Sequence, residues 1–248
     1  MGFKIEKRLK GSLGRAGLIS TVHGDIKTPA FVRVGTKATV KSVTSEQVKD
    51  LGAQVVLANT YHLHLQPGED LVEKNGGLHG MMNWQMPTMT DSGGFQAFSL
   101  GVAGGSGIGK FVSANSPERE VVESIEEGRG GSMAKVTEEG VHFKSVIDGS
   151  PRFMSPEDSM QIQSKIGADI IFALDEFTSP HASFEKIKAT IERTERWAKR
   201  CLDEHKVLGK EKECSREQLS DRDWREKEGI FQQENTPVAR ENILSPSD

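Results

Sequence analysis

Three apolar segments, each closed by polar residues and separated by helix-like stretches, set the tightest limit on how this chain can fold. Residues 53–58 end in Asn59-Thr60-Tyr61-His62, residues 87–90 deliver Asp91 into Ser92-Gly93-Gly94, and residues 170–174 deliver Asp175-Glu176. Short apolar runs of this kind suit strands buried on both faces. Their alternation with helices predicts an α/β fold around a parallel sheet. Ligands in such folds gather at the C-terminal ends of the strands. Two of these ends carry acids in equivalent positions, Asp91 and Asp175, which points to a shared pocket rather than two isolated caps.

Local signals fill in the rest. Residues 18–34 read as a hairpin about His23-Gly24-Asp25 followed by a strand running from Ile26 to Val34. Thr44 or Ser45 caps a helix that stops at Gly52, and a second helix falls near residues 69–75. Ser155-Pro156-Glu157-Asp158 is a strong helix start, with a serine cap, proline at the first helical position and acids in the first turn; Gly167 marks its end. Apolar residues at spacings of three and four (Phe184, Ile187, Ile191) predict a helix over 184–202, with Trp197 in the core. Residues 141–150 read as a hairpin. Residues 101–135 are expected to form a glycine-rich and acidic insertion with a mobile loop at its start, since the spacing in Gly104–Lys110 is wrong for a phosphate-binding motif. From residue 209 onward alternating charges replace apolar periodicity, so a solvated helix or disorder is expected to 248.

Composition narrows the function classes. The 248 residues carry a net charge of -4 and 27% charged residues, which disfavours a globally basic nucleic-acid binder while leaving room for a local patch. The first 41 residues supply such a bias, with nine Lys and Arg against Glu6 and Asp25. No apolar run approaches the roughly 18 residues of a membrane span, and the N-terminal residues lack the apolar core of a secretory signal. Two cysteines, Cys201 and Cys214, are too few for a disulfide framework and lack the close pairing of a zinc site. A cytoplasmic protein without membrane partners is the expectation.

The assembled motifs resemble the tRNA-guanine transglycosylase (queuine tRNA-ribosyltransferase) family. The resemblance runs from about Gly11 to His205 and rests on HGDIKTPAFVRVGTKATVKSVT, NTYHLHLQPGED, GGLHGMMNW, TDSGGFQAFSL, KVTEEGVHFKSVIDGS and IIFALDEFTSP. It implies a (β/α)8 TIM barrel with its site at the C-terminal rim, of which residues 1–208 would supply about four βα units. It implies that Asp91 is the general acid/base, that Ser92, Gly93, Gly94 and Phe95 line a guanine pocket, and that Asp175 hydrogen-bonds the base edge. The tRNA anticodon loop, a guanine- or queuine-type base and a second copy of the chain would be the partners.

Guanine offers N1–H and an exocyclic amine as donors, so carboxylates are fitting acceptors, while glycines make room for a flat ring. The resemblance further implies a glutamine-bearing strand end, an aspartate nucleophile and a structural zinc site of clustered cysteines and a histidine. None of these has a matching motif after His205. The expectation is therefore an N-terminal half, without a cofactor of its own and inactive alone. The rival expectation is a non-catalytic partner that binds tRNA or a complete subunit.

Overall fold

The structure, a computed structural model, describes residues 2–103, 134–178 and 182–217. Three strands form an antiparallel N-terminal sheet: β1 (Gly2–Arg8), β2 (Arg15–Thr21) and β3 (Gly24–Thr28), in that order. The hairpin about His23-Gly24 appears where the sequence places it. The strand predicted to continue to Val34 instead breaks at Pro29, which cannot donate to a ladder. A separate strand, β4 (Arg33–Val34), begins the next sheet.

That sheet is parallel and runs β4, β5 (Val56–Ala58), β6 (Thr88–Thr90). Val56 pairs with Thr88 and Ala58 with Thr90, so the C-terminal ends of β5 and β6 lie side by side. Beyond β6 the pairing continues through Met89 and Ile170 alone, with Thr90 N–H donating to Ile170 O (3.0 Å) and Ile170 N–H to Thr88 O (3.1 Å). The fourth strand expected over 170–174 is thus a single parallel bridge. Ile170 and Leu174 are buried and the three residues between them half-buried, but the backbone does not extend the ladder. Among the described residues the parallel strands form an open sheet.

Helix α1 (Ser45–Asp50) joins β4 to β5 and is held by a reciprocal capping box between Thr44 and Gln47. Three short helices lie between β5 and β6: α2 (Thr60–Leu65), α3 (Glu69–Lys74) and α4 (Gly77–Met82). Only α3 is evident from the sequence. The Gly93-Gly94 turn leads into α5 (Gly94–Ala103), so residues 101–103 are helical rather than the start of a loop. The remainder of that expected loop, to residue 133, lies outside the described residues.

A three-stranded meander follows, β7 (Ala134–Val136), β8 (Val141–Lys144) and β9 (Pro151–Met154). Helix α6 (Pro156–Ile166) starts at a Ser155–Asp158 capping box and ends on Gly167 in the left-handed conformation (φ 74°). Helix α7 (Phe184–Glu217) extends well past the predicted residue 202; beyond 217 the charged tail lies outside the described residues. Neither helix, nor any other among the described residues, is long and apolar enough to cross a membrane.

The main core joins the sheet to the helices around it. Val56, Ala58, Tyr61, Leu63, Val72, Leu78, Ile166, Leu174 and Trp197 are all fully buried. Trp197 also donates Nε1–H to Glu138 O (2.8 Å), which satisfies its polar end. A second, smaller cluster of Ile26, Val55 and Ile170 seats the N-terminal sheet against the starts of the parallel strands. The opposite ends, where Asn59 and Asp91 emerge, are left for a site.

Candidate active site

Asp91 leaves β6 beside the end of β5, with its own N–H donating to Ala58 O at 3.3 Å. That adjacency brings Asn59 and Thr60 to its side chain. Asn59 Nδ2 donates to one carboxylate oxygen, and Thr60 N–H donates to the other at 2.9 Å. The same Asn59 caps α2 by accepting from His62 N–H at 3.0 Å, so both ends of its amide are fixed. The sequence places Asn59 at a strand end but does not reveal its bond to Asp91. Only the parallel pairing of β5 with β6 does.

Burial is the largest influence on Asp91. It pushes the carboxyl up from 3.8 to about 6, against the hydrogen bonds from Thr60, Gly93 and Asn59, which favour the ionised form; the charge of Asp175 adds a smaller upward push. A carboxyl titrating there can both hold and release a proton near neutral pH, the property required of a general acid/base.

The two glycines after Ser92 are required for different reasons. Gly93 adopts φ +79°, a conformation that side chains disfavour. Gly94 has no such backbone demand, but a Cβ there would lie 2.7 Å from Asp175 O and 3.0 Å from Leu174 Cδ1. This close approach draws the 170s segment against the turn. Ser92, nearly inaccessible, completes the junction: its Oγ donates to Asp175 Oδ1 (2.8 Å) and accepts from Gly94 N–H (3.2 Å), while its carbonyl accepts from Ser159 Oγ on α6 (2.9 Å).

The acids Asp175 and Glu176 are therefore separated in role. Glu176 is buried, pairs with Arg193 of α7 and donates its backbone N–H to Thr194 Oγ1 (3.1 Å). Asp175 is exposed and faces Ser92. Phe95, 39% exposed, meets Phe177 edge to face with ring centroids 4.8 Å apart, so an aromatic wall stands beside the two carboxylate-bearing ends. Phe177 is a member of this group that sequence reasoning passed over; its place directly after Asp175-Glu176 was the available signal. All of Asp91, Ser92, Gly93, Gly94 and Phe95 lie on one turn and helix start, and Asp175 is bonded to it.

Behind the turn, Gln163 of α6 is fully buried and uses its whole amide. Its Oε1 accepts from Thr90 Oγ1 (3.0 Å) and Phe172 N–H (3.1 Å), and its Nε2 donates to Phe172 O (2.9 Å) and Ser159 Oγ (3.1 Å). One side chain thus fixes the end of β6 against residues that do not pair with it as a ladder. The histidines near the strand ends have local duties: His62 N–H is the capped donor of α2, and His64 Nδ1 lies 2.8 Å from Glu69 Oε2.

The zinc implied by the resemblance needs a cluster of thiolates. Cys201 does not suit one: it is buried, accepts from Leu174 N–H (3.4 Å), donates to Pro156 O (3.5 Å), and burial pushes its thiol up to about 11.

Residues 10–218 match the family described as queuine tRNA-ribosyltransferase. The chain is 45% identical over 204 residues to the queuine tRNA-ribosyltransferase of Acetivibrio thermocellus, a stretch covering 82% of this chain and 46% of that protein. It is 46% identical over 207 residues to the protein of that name from Roseiflexus, covering 84% and 49% of the two chains, and 45% identical over 199 residues to that of Staphylococcus aureus, covering 80% and 45%. The chain spans about half the length of these curated relatives. The match extends across every element that builds the Asp91 and Asp175 ends, and on it the chain belongs to the queuine tRNA-ribosyltransferase family.

Proposed function

We propose that this chain supplies the acid/base and base-reading part of a tRNA-guanine transglycosylase, within a TIM barrel whose remaining strands come from outside the residues described. The observation that carries the reading is the half-buried Asp91 carboxyl, raised to about 6 at a strand end and bonded on both oxygens. The name and similarity of the relatives support it.

In this reading a guanine extruded from the tRNA anticodon wobble position enters beside Phe95 and Phe177. Asp175 accepts from the N–H groups of the base edge, a task open to it because it is exposed and held by Ser92 alone among the bonds described. Asp91, protonated part of the time near neutral pH, passes a proton to the departing base and takes one from the incoming queuine-type base. Gly93 and Gly94 keep the floor of the pocket flat. A covalent nucleophile at the ribose belongs to residues this chain does not match, so the chain alone is expected to be inactive.

The test is guanine exchange into tRNA by the purified, folded chain, alone and mixed with a C-terminal half from a related enzyme that carries the nucleophile. Exchange only on mixing, abolished by Asp91→Ala, is the expected result. Exchange on mixing that survives Asp91→Ala overturns the acid/base role. Silence from both folded samples, with retained tRNA binding, supports a non-catalytic partner instead.

A further inference from the structure

A second group of polar side chains lies at the other end of the parallel strands, and the pocket described above does not use it. Asp169 immediately precedes the Ile170 bridge, and its side chain is 2% exposed. His23, on the β2–β3 turn, places Nδ1 2.7 Å from Asp169 Oδ1; His79, in α4, places Nε2 3.1 Å from Oδ2. The two imidazoles stack face to face with centroids 3.7 Å apart and planes 24° from parallel. Thr88, the first residue of β6, holds the carboxylate at the same oxygen as His79, its N–H reaching Oδ2 at 2.9 Å and its hydroxyl at 3.3 Å, and that hydroxyl also lies 3.4 Å from His79 Nε2. About 10 Å of strand separates this end of β6 from Asp91.

We propose that His23, His79 and Asp169 form a binding site for a borderline divalent transition ion of the zinc class, with water in the remaining position. Two imidazole nitrogens and one carboxylate oxygen are a donor set matched to such ions and poorly matched to calcium or magnesium, which take oxygen ligands. The donor atoms all lie within 4.8 Å of one another. A tetrahedral ion with bonds of about 2.0–2.1 Å holds its ligand atoms about 3.3 Å apart. The present contacts run to different oxygens, His79 Nε2 at 3.1 Å from Oδ2 and His23 Nδ1 at 2.7 Å from Oδ1, so His23 must withdraw and also turn out of its stack on His79 to aim its in-plane lone pair at a shared ion.

His23 can make that movement because its side chain is 38% exposed on a turn, which also gives the ion a path from solvent. Asp169 cannot, and Thr88 holds it as an ordered ligand should be held. The ion replaces two contacts to one carboxylate by three bonds to itself. Its effect is to fasten the N-terminal sheet to the floor of the parallel sheet, since the three ligands come from three separate elements.

The test uses the full chain stripped with chelator and titrated with Co2+, a spectroscopic stand-in for zinc. The expected result is one Co2+ per chain with d–d absorption of a nitrogen- and oxygen-ligated ion, displaced by Zn2+, with Zn2+ raising Tm by several degrees. His23→Ala, on an exposed turn, is expected to keep the fold by circular dichroism and to weaken binding at least tenfold; His79→Gln serves as the second variant. Three results overturn the site: absence of Co2+ absorption in the wild-type chain, a sulfur-to-cobalt charge-transfer band reporting cysteine ligation, or unchanged affinity in a folded His23→Ala protein.

Discussion

Ser92 Oγ donates to Asp175 Oδ1 at 2.8 Å, a bond that spans 83 residues of sequence and joins the turn after β6 to the segment after Ile170. Because Asp175 is exposed while Ser92 is nearly inaccessible, the bond orients the acid without burying it. Asp175→Ala leaves the nearly inaccessible Ser92 hydroxyl without its acceptor and is therefore expected to lower stability by about 1–2 kcal/mol. It should weaken guanine binding by roughly 10–100-fold, since charge-assisted hydrogen bonds to the base edge are lost. Thermal unfolding reads the first effect and calorimetric titration with guanine the second, and unchanged affinity would remove Asp175 from the pocket.

The raised Asp91 carboxyl makes stability depend on pH in a definite direction. Its folded-state value, about 6, lies above the reference 3.8, so the folded chain holds the proton more tightly than the unfolded chain does. Its contribution to stability is fully present below about 4 and is lost as pH rises through about 6, a change of about 2 kcal/mol once residual solvent access is allowed for. Asp91→Asn cannot titrate and should flatten that part of the profile. Urea unfolding of both proteins from pH 4 to 7 checks it: parallel profiles would mean that Asp91 is not the group responsible.

The Gly94 position tests the close approach of the turn to the 170s segment. Backbone conformation at 94 is ordinary, so Gly94→Ala acts through space alone, its Cβ meeting a carbonyl oxygen at 2.7 Å. Backbone cannot swing aside as a long side chain can. A loss of about 1–3 kcal/mol is expected, together with weaker guanine binding as Asp175 is pushed from Ser92. Chemical denaturation and guanine titration of the same sample separate the two effects. A fully stable variant would show that the segments stand further apart.

Elements governed by local chemistry were legible in the sequence. Thr44 and Ser155 announce α1 and α6 because a cap, its partner three residues on and a stop glycine are near neighbours in the chain. Helices α2 and α4 were not. The cap of α2, Asn59, reads equally well as a strand end, and α4 opens between Gly76 and Gly77, which lower helix propensity. The apolar character of 170–174 was visible, but whether a segment joins a ladder depends on its neighbour, and here only Ile170 finds one. At the site, Asp91 and Asp175 stood out as acids at strand ends. Their partners did not, because Asn59 reaches Asp91 through strand adjacency and Ser92 reaches Asp175 across 83 residues, while Gln163 braces the neighbouring Thr90 and Phe172 through helix packing. The His23 contact to Asp169 spans 146 residues, beyond any spacing rule.

Ser155→Ala probes whether the local cap of α6 is felt at the site. Its hydroxyl accepts from Asp158 N–H (3.0 Å), and the Asp158 carboxylate answers Ser155 N–H (2.8 Å). Removing the hydroxyl is expected to cost about 1 kcal/mol of stability. Ser159, one turn on, still donates to Ser92 O, so guanine affinity should be unchanged. A stability loss accompanied by a large fall in affinity would show that α6 is positioned by its cap rather than by its packing.

Gln163→Leu carries the strongest expectation. The replacement is similar in size and apolar, so it opens little cavity and isolates the polar role of the side chain. It leaves the Thr90 hydroxyl, the Phe172 N–H and the Phe172 carbonyl without the partners they have at 3.0, 3.1 and 2.9 Å, in surroundings where Gln163 itself is fully buried. Each unmade bond to a buried group costs about 1–3 kcal/mol, and local relaxation recovers part of the sum, so a net loss of about 3 kcal/mol is expected. Thr90 precedes Asp91 and Phe172 lies three residues before Asp175, so both acids lose the support that sets their separation. The variant should therefore unfold at lower urea and, where still folded, bind guanine more weakly than the wild type. Equal stability would mean that water replaces the amide at this position, and that the 90s and 170s segments are held together by the Ser92–Asp175 bond and the Ile170 bridge instead.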